Sequence, residues 1–140
     1  MDISTEEVTS ALHNAKSIDE LGKQIAQQNN KHPHPIDYLE NLLNARGIKF
    51  SEIIAAASIN GSYGRHLHRK SRKLNRNNII KIALSAKFNI EETNNILKYA
   101  NCRPLYAKDD HDKVIIWCLE QKMNVTETNM NLDTLGQELL

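Results

Sequence analysis

The sequence predicts an all-α protein, and three observations carry that prediction. Apolar residues recur at spacings of three and four through most of the chain, the period of a helix face. Five glycines and three prolines in 140 residues leave few breaks, which suits a few helices rather than many short strands. A 23-residue segment recurs with helix caps at the same places in both copies. With 40% apolar and 25% charged residues, the composition is that of an ordinary globular chain, long enough to bury its own core.

The elements follow in order. Residues 4–29 read as one or two amphipathic helices. Ser17-Ile18-Asp19-Glu20 has the form of a capping box, and Ile18, Leu21 and Ile25 form a narrow apolar stripe. Lys31-His32-Pro33-His34-Pro35 interrupts the pattern, and its two prolines hold it extended as a linker over 31–35. A helix is expected from Pro35 to Arg46, with Ile36, Leu39, Leu42 and Leu43 inward and Gly47 as its stop. A second starts after Lys49. Ser58-Ile59-Asn60-Gly61 is a turn in which Asn60 or Gly61 takes the left-handed conformation. A third runs from Ser62 to about Lys70. Helices over 76–87 and 90–100 complete a core spanning 36–102.

The repeat accounts for the rest. Asn77–Tyr99 aligns with Asp112–Thr134 at an offset of 35, with eight of 23 positions identical, among them Asn89/Asn124, Glu92/Glu127 and Thr93/Thr128. Asn followed three residues on by Glu is a helix cap. A second helical hairpin, at about 111–122 and 125–135, is therefore expected within 103–140. Two copies are too few for a solenoid.

Charge is distributed unevenly. No acidic residue lies between Glu52 and Glu91, and that stretch carries Arg65, Arg69, Lys70, Arg72, Lys73, Arg76, Lys81 and Lys87. The rest of the chain holds ten basic and seventeen acidic residues. Segregation of this kind points to a polyanionic partner for the middle segment.

That segment also contains a candidate helix-turn-helix. Its first helix needs a small residue where the second crosses it, which Ala55 or Ala56 supplies. Leu67 anchors the second helix to the core. Tyr63, Arg65, His66, Arg69 and Lys70 then fall outside, where an arginine can bind guanine in the major groove. The loop with Arg72, Lys73 and Arg76 would lie over phosphates, which give position and salt-dependent affinity.

Residues 36–100 resemble the five-helix, lambda-repressor-like (Xre-type) DNA-binding domain. They resemble more closely a bacterial group of helix-turn-helix proteins with a longer tail. The likeness rests on Ser51-Glu52-Ile53-Ile54, Tyr63-Gly64, Ile90-Glu91-Glu92-Thr93-Asn94 and Pro104-Leu105-Tyr106. It implies a five-helix DNA-binding core with Asn60, Ser62, Tyr63, Arg65, His66 and Arg69 facing DNA. The chain departs from the pattern in the loop. Where the pattern has Gly, then Lys-Arg and later Pro, it has Lys70, Ser71-Arg72 and Leu74, which bears on the shape of the turn and the docking angle.

Other functions find little support. There is no Gly-rich phosphate loop, His-Glu-x-x-His or nucleophile elbow, so no enzyme is expected. His32 and His34 lack companion ligands, and Asp109, Asp110, His111 and Asp112 sit where carboxylates cap a helix, so no metal or cofactor is expected. Cys102 and Cys118 read as reduced, buried residues. Trp117, in the run Val114–Leu119, reads as core or interface. With no apolar run of membrane length and no secretory leader pattern, a cytoplasmic protein is expected. The expected function is a transcriptional regulator that binds double-stranded DNA as a homodimer. A protein-interaction adaptor on the same scaffold and charge-driven nucleic-acid binding are the alternatives. The N-terminal helices or the C-terminal hairpin would serve a dimer or a protein partner.

Overall fold

A computed structural model of the protein describes residues 17–29 and 32–140. Among them are eight α-helices and no strand. In order they are α1 Ile18–Asn29, α2 Pro35–Ala45, α3 Phe50–Ala56, α4 Gly61–His68, α5 Arg76–Ala86, α6 Ile90–Tyr99, α7 Asp110–Glu120 and α8 Val125–Thr134. The chain divides between Pro33 and His34 into two units, inside the linker expected at 31–35.

The first unit contains α1. Its start agrees with the cap read from the sequence, because Glu20 N donates to Ser17 Oγ at 3.2 Å. Residues 4–16 of the expected N-terminal helices lie outside the described residues.

The second unit, residues 34–140, holds the other seven helices, so the C-terminal hairpin shares the core of the helices before it. His34, half of the candidate metal pair, caps α2: its Nδ1 accepts from Ile36 N at 3.1 Å. An acceptor nitrogen must be unprotonated. Burial, together with the Lys70 charge and against the pull of Asp37, lowers the His34 pKa in that direction. α2 buries Ile36, Leu39 and Leu43 and packs on α6. α3 packs on both α4 and α5. At the centre lies α5, whose Ile79, Ile80, Ile82, Ala83, Leu84 and Ala86 are all buried. Each large apolar side chain removed from water contributes roughly 1.5–3 kcal/mol, so a helix buried on most sides contributes heavily.

All seven helices of this unit stop in the same way. Gly47, Ser58, Lys70, Lys87, Asn101, Lys122 and Gly136 take positive φ between 58° and 69°. In each case the next amide donates back into the last turn, for example Phe88 N to Ala83 O at 3.0 Å and Met123 N to Cys118 O at 3.0 Å. Only two of the seven are glycine. The turn between α3 and α4 therefore reverses at Ser58, φ 59°, and not at Asn60 or Gly61 as expected. Asn60 is instead extended and caps α4, its Oδ1 accepting from Ser62 N and Tyr63 N at 2.9 and 3.2 Å.

The duplication is more extensive than the aligned segment. Asn89 and Glu92 form a capping box at the start of α6, and Asn124 and Glu127 form the same box on α8. Thr93 and Thr128 are fully buried, each hydroxyl donating to its cap carbonyl at 2.8 Å. Further on, Leu105 N donates to Asn94 Oδ1 at 2.9 Å, and 35 residues later Leu140 N donates to Asn129 Oδ1 at 2.8 Å. At the other end Arg76 Nε donates to Arg103 O at 2.8 Å, and His111 Nε2 meets Glu138 O at 2.7 Å. The structural repeat is thus 76–105 and 111–140.

A bidentate ion pair joins the two copies, with Arg103 Nη2 also 3.8 Å from the same carboxylate. Arg76 Nη1 and Nη2 donate to Asp112 Oδ1 and Oδ2 at 3.0 and 2.8 Å, and the Asp112 side chain is 1% exposed. Tyr106 N also donates to Asp112 Oδ2 at 3.0 Å. Burial pushes the Asp112 pKa up. The hydrogen bonds from Arg76 and Tyr106 and the charges of Arg76 and Arg103 outweigh it and hold the carboxyl below its usual range.

Candidate nucleic-acid interface

The candidate surface is built on α4, and its geometry depends on a close helix crossing. Gly64 is buried on α4, and a Cβ placed there would lie 2.6 Å from Cγ2 of Ile54 on α3. That is inside van der Waals contact, so only glycine fits at this point. The close approach expected at Ala55 or Ala56 is therefore made at Gly64, on the other helix, and both alanines are exposed. Leu67 is fully buried and anchors α4 as expected. With Gly64 and Leu67 inward, Ser62, Arg65, His66 and Arg69 face solvent on the other side.

These four share one surface with Lys70, Arg72 and Lys73, all exposed. Their engagement differs. Arg65 leans back toward the start of α4, its Nη1 3.9 Å from the position of a Cβ on Gly61. His66 Nδ1 lies 3.1 Å from Ser71 Oγ, which also reaches His66 O at 3.1 Å. Tyr63 is half-buried, and its hydroxyl donates to Lys73 O at 3.0 Å, so it braces the loop. Asn60 spends its oxygen on the α4 cap. Lys70 pairs with Asp37 of α2 at 2.9 Å. The other acidic residue nearby, Glu40 of α2, contacts His68.

Arg76 does not join this surface. Its guanidinium is bound to Asp112 and to the carbonyls of Arg103 and Pro104, with all three nitrogens donating at the junction of the two hairpins. Nothing local in the sequence marks it off from Arg72, because its partner lies 36 residues away.

The loop after α4 closes as a glycine-containing loop would. Lys70 stands at the left-handed position, φ 62°, with Lys70 N donating to Leu67 O and Ser71 N to His66 O, both at 3.0 Å. Leu74 is buried and fixes the far end. A cleft of about 760 Å³ opens between α2, α3 and α4, with Leu43, Ile48, Phe50 and Ile54 on its apolar side and Arg65 and Arg69 at its edge. Among the described residues, no group of three or more His, Cys, Asp or Glu is placed to hold a metal ion. None of the described helices is long and apolar enough to cross a membrane. No protein-family model, curated protein or solved structure matches the chain.

Proposed function

We propose that this protein is a DNA-binding transcriptional regulator of Xre-like type, which inserts α4 in the major groove. The observation that carries the reading is the outward face of α4. Ser62, Arg65, His66 and Arg69 stand exposed on a short helix held to its neighbour by Gly64, within a 38-residue stretch free of carboxylates. Ser62 and Arg65, nearest the helix start, are the base-reading candidates, since the N-terminal end of such a helix meets base edges. Arg69, Arg72 and Lys73 supply phosphate contacts. Asn60 and Tyr63 act through the shape of α4 and its loop. A homodimer belongs to the proposal, because one module spans few base pairs, and so does a cytoplasmic location.

A second reading, an interaction adaptor that no longer reads DNA, draws on Asp37 and Glu40. These carboxylates stand beside α4 and engage Lys70 and His68, which lowers the positive potential at one end of the surface.

The test is selection of bound sequences from a pool of random duplex DNA at near-physiological salt. Enrichment of a palindrome supports a dimeric regulator. Retention without enrichment means charge-driven binding, and no retention favours the adaptor. About five neutralised phosphates would give a log–log salt slope of roughly −4 to −5. Arg72→Glu with Lys73→Glu should weaken all sequences alike, while Arg65→Ala should relax the preference at one base pair. Unchanged binding in both variants would sink the surface.

A further inference from the structure

The repeat makes one exposed surface interpretable. The first hairpin, α5–α6, is covered on its outer side by α2. Arg46, which ends α2, donates to both carboxylate oxygens of Glu92 at 2.8 and 3.0 Å and lies over the Phe88 ring at 4.8 Å. Tyr38 accepts a hydrogen bond from Asn95 at 3.1 Å and meets the Tyr99 ring edge-on at 5.2 Å. The surface that receives α2 is therefore Phe88, just before α6, and Glu92, Asn95 and Tyr99 on it. Its equivalents in the second hairpin are Met123, Glu127, Met130 and Thr134. Met123 is partly buried against the core, but the other three have no counterpart of α2 over them within the second unit. Glu127 and Thr134 are exposed, and Met130 is 65% exposed. On α7, Trp117 occupies the register of Ile82. Ile82 is 1% exposed and Trp117 50%. Leu135 and Leu139 are also more than half or half exposed, at 61% and 50%. Single exposed apolar residues are ordinary, but four large ones on one short hairpin and its tail ask for an explanation.

We propose that this face of the second hairpin docks an amphipathic helix of a partner protein. The helix would present an aromatic or aliphatic stripe to Trp117 and Met130 and an arginine to Glu127. The first hairpin shows which chemistry fits, because α2 presents Tyr38 to Asn95 and Tyr99 and Arg46 to Glu92 and Phe88. Charge points the same way. Residues 109–140 hold seven carboxylates and two lysines, and Glu120, Glu127 and Asp133 are exposed. A basic helix is attracted to that rim, whereas a second acidic hairpin is repelled. The Tyr38–Arg46 stripe of another copy is already engaged with its own first hairpin. That excludes α2 of a second copy, and the acidic rim selects a basic helix of a different protein as the proposed occupant. The inference stands apart from DNA reading, and either can fail alone.

Trp117 is the single tryptophan of the chain, so its emission reports occupancy directly. The probe is a synthetic peptide of residues 35–46 carrying Asp37→Lys and Glu40→Lys, which makes it basic like the proposed partner, titrated into the full-length protein. A saturating blue shift is expected at high micromolar concentration, because a short peptide must also order its helix. Arg46→Glu in the peptide should weaken it roughly tenfold, as removal of a charge-assisted pair does. Glu127→Lys in the protein should reverse the preference between the two peptides. Glu127 also belongs to a helix cap, so Met130→Glu, which touches no cap, is the second variant and should abolish the shift. No shift up to about 1 mM, a typical limit of weak association, would overturn the proposal. So would an equal response to both peptides, a shift that survives Met130→Glu, or dimerisation of the protein alone that moves the Trp117 emission.

Discussion

The two helical hairpins of this protein share caps, turns and buried threonines, yet one is interior and the other peripheral. In α5–α6 every large apolar side chain is buried or partly buried, whereas in α7–α8 the positions of Ile82 and Asn95 are taken by exposed Trp117 and Met130. The local code is therefore separable from the packing. Asn-x-x-Glu, the buried Thr and the left-handed Lys build the hairpin in both places, because backbone groups need partners wherever the helix sits. What surrounds the hairpin decides only the outer residues. The duplication preserved the first set and varied the second.

The largest effect is expected where the copies meet. Arg76→Ala leaves Asp112 buried with its charge uncompensated except by Tyr106 N–H and the more distant Arg103, and should cost about 4 kcal/mol in urea unfolding. The pH dependence follows from the lowered Asp112 pKa. The folded carboxyl releases its proton more readily than the unfolded one. The stabilisation is complete above the unfolded value of about 3.9 and is lost as the pH falls through the lower folded value. The difference between the native protein and Arg76→Ala should thus be full at neutral pH and shrink in acid. A pH-independent difference would mean that Arg76 acts by packing alone. On the proposed DNA-binding reading, affinity for DNA should change less than on charge reversal at Arg72 and Lys73.

The sharpest contrast lies at equivalent positions. Ile82→Ala opens a cavity in a buried helix and should cost about 3 kcal/mol. Trp117→Ala, in the same register, removes a half-exposed side chain and should cost at most about 1 kcal/mol, as surface substitutions do. Equal losses would show that Trp117 is covered in solution, for instance by another copy of the chain.

Much of this was legible in the sequence, for identifiable reasons. Periodicity and caps are local, so the helices at 35–46, 76–87 and 90–100 and the second hairpin could be read directly. The helix ends at Ser58, Lys70, Lys87, Asn101 and Lys122 could not be read by the usual sign, since glycine marks only Gly47 and Gly136. The crossing at Gly64 was placed on the wrong helix because a small residue on either side satisfies the same steric need. In the candidate site, the exposure of Ser62, Arg65, His66 and Arg69 follows from burying Leu67. The use of Arg76 inside the fold does not, because counting charges along a segment cannot reveal a carboxylate 36 residues away. Tyr63 is a similar case: its hydroxyl finds a backbone carbonyl ten residues on.

The smallest effect tests the left-handed stops, again by comparing copies. Lys87 and Lys122 stand at φ 61° and 59°, a conformation that costs a side-chain-bearing residue roughly 1 kcal/mol relative to glycine. Lys122→Gly should therefore raise stability by up to about 1 kcal/mol, less the entropy that glycine returns to the unfolded chain. Lys87→Gly relieves the same strain but removes a contact between the copies, since Lys87 Nζ donates to Lys122 O at 2.7 Å. The bond leads to a carbonyl at an exposed site, worth about 0.5–1 kcal/mol, so the two changes should nearly cancel at Lys87. Paired thermal melts of the two variants measure the difference. A gain at Lys122 with none at Lys87 assigns the hydrogen bond a role in holding the copies together. Equal gains would leave the Arg76–Asp112 pair and the apolar contacts to do so without it.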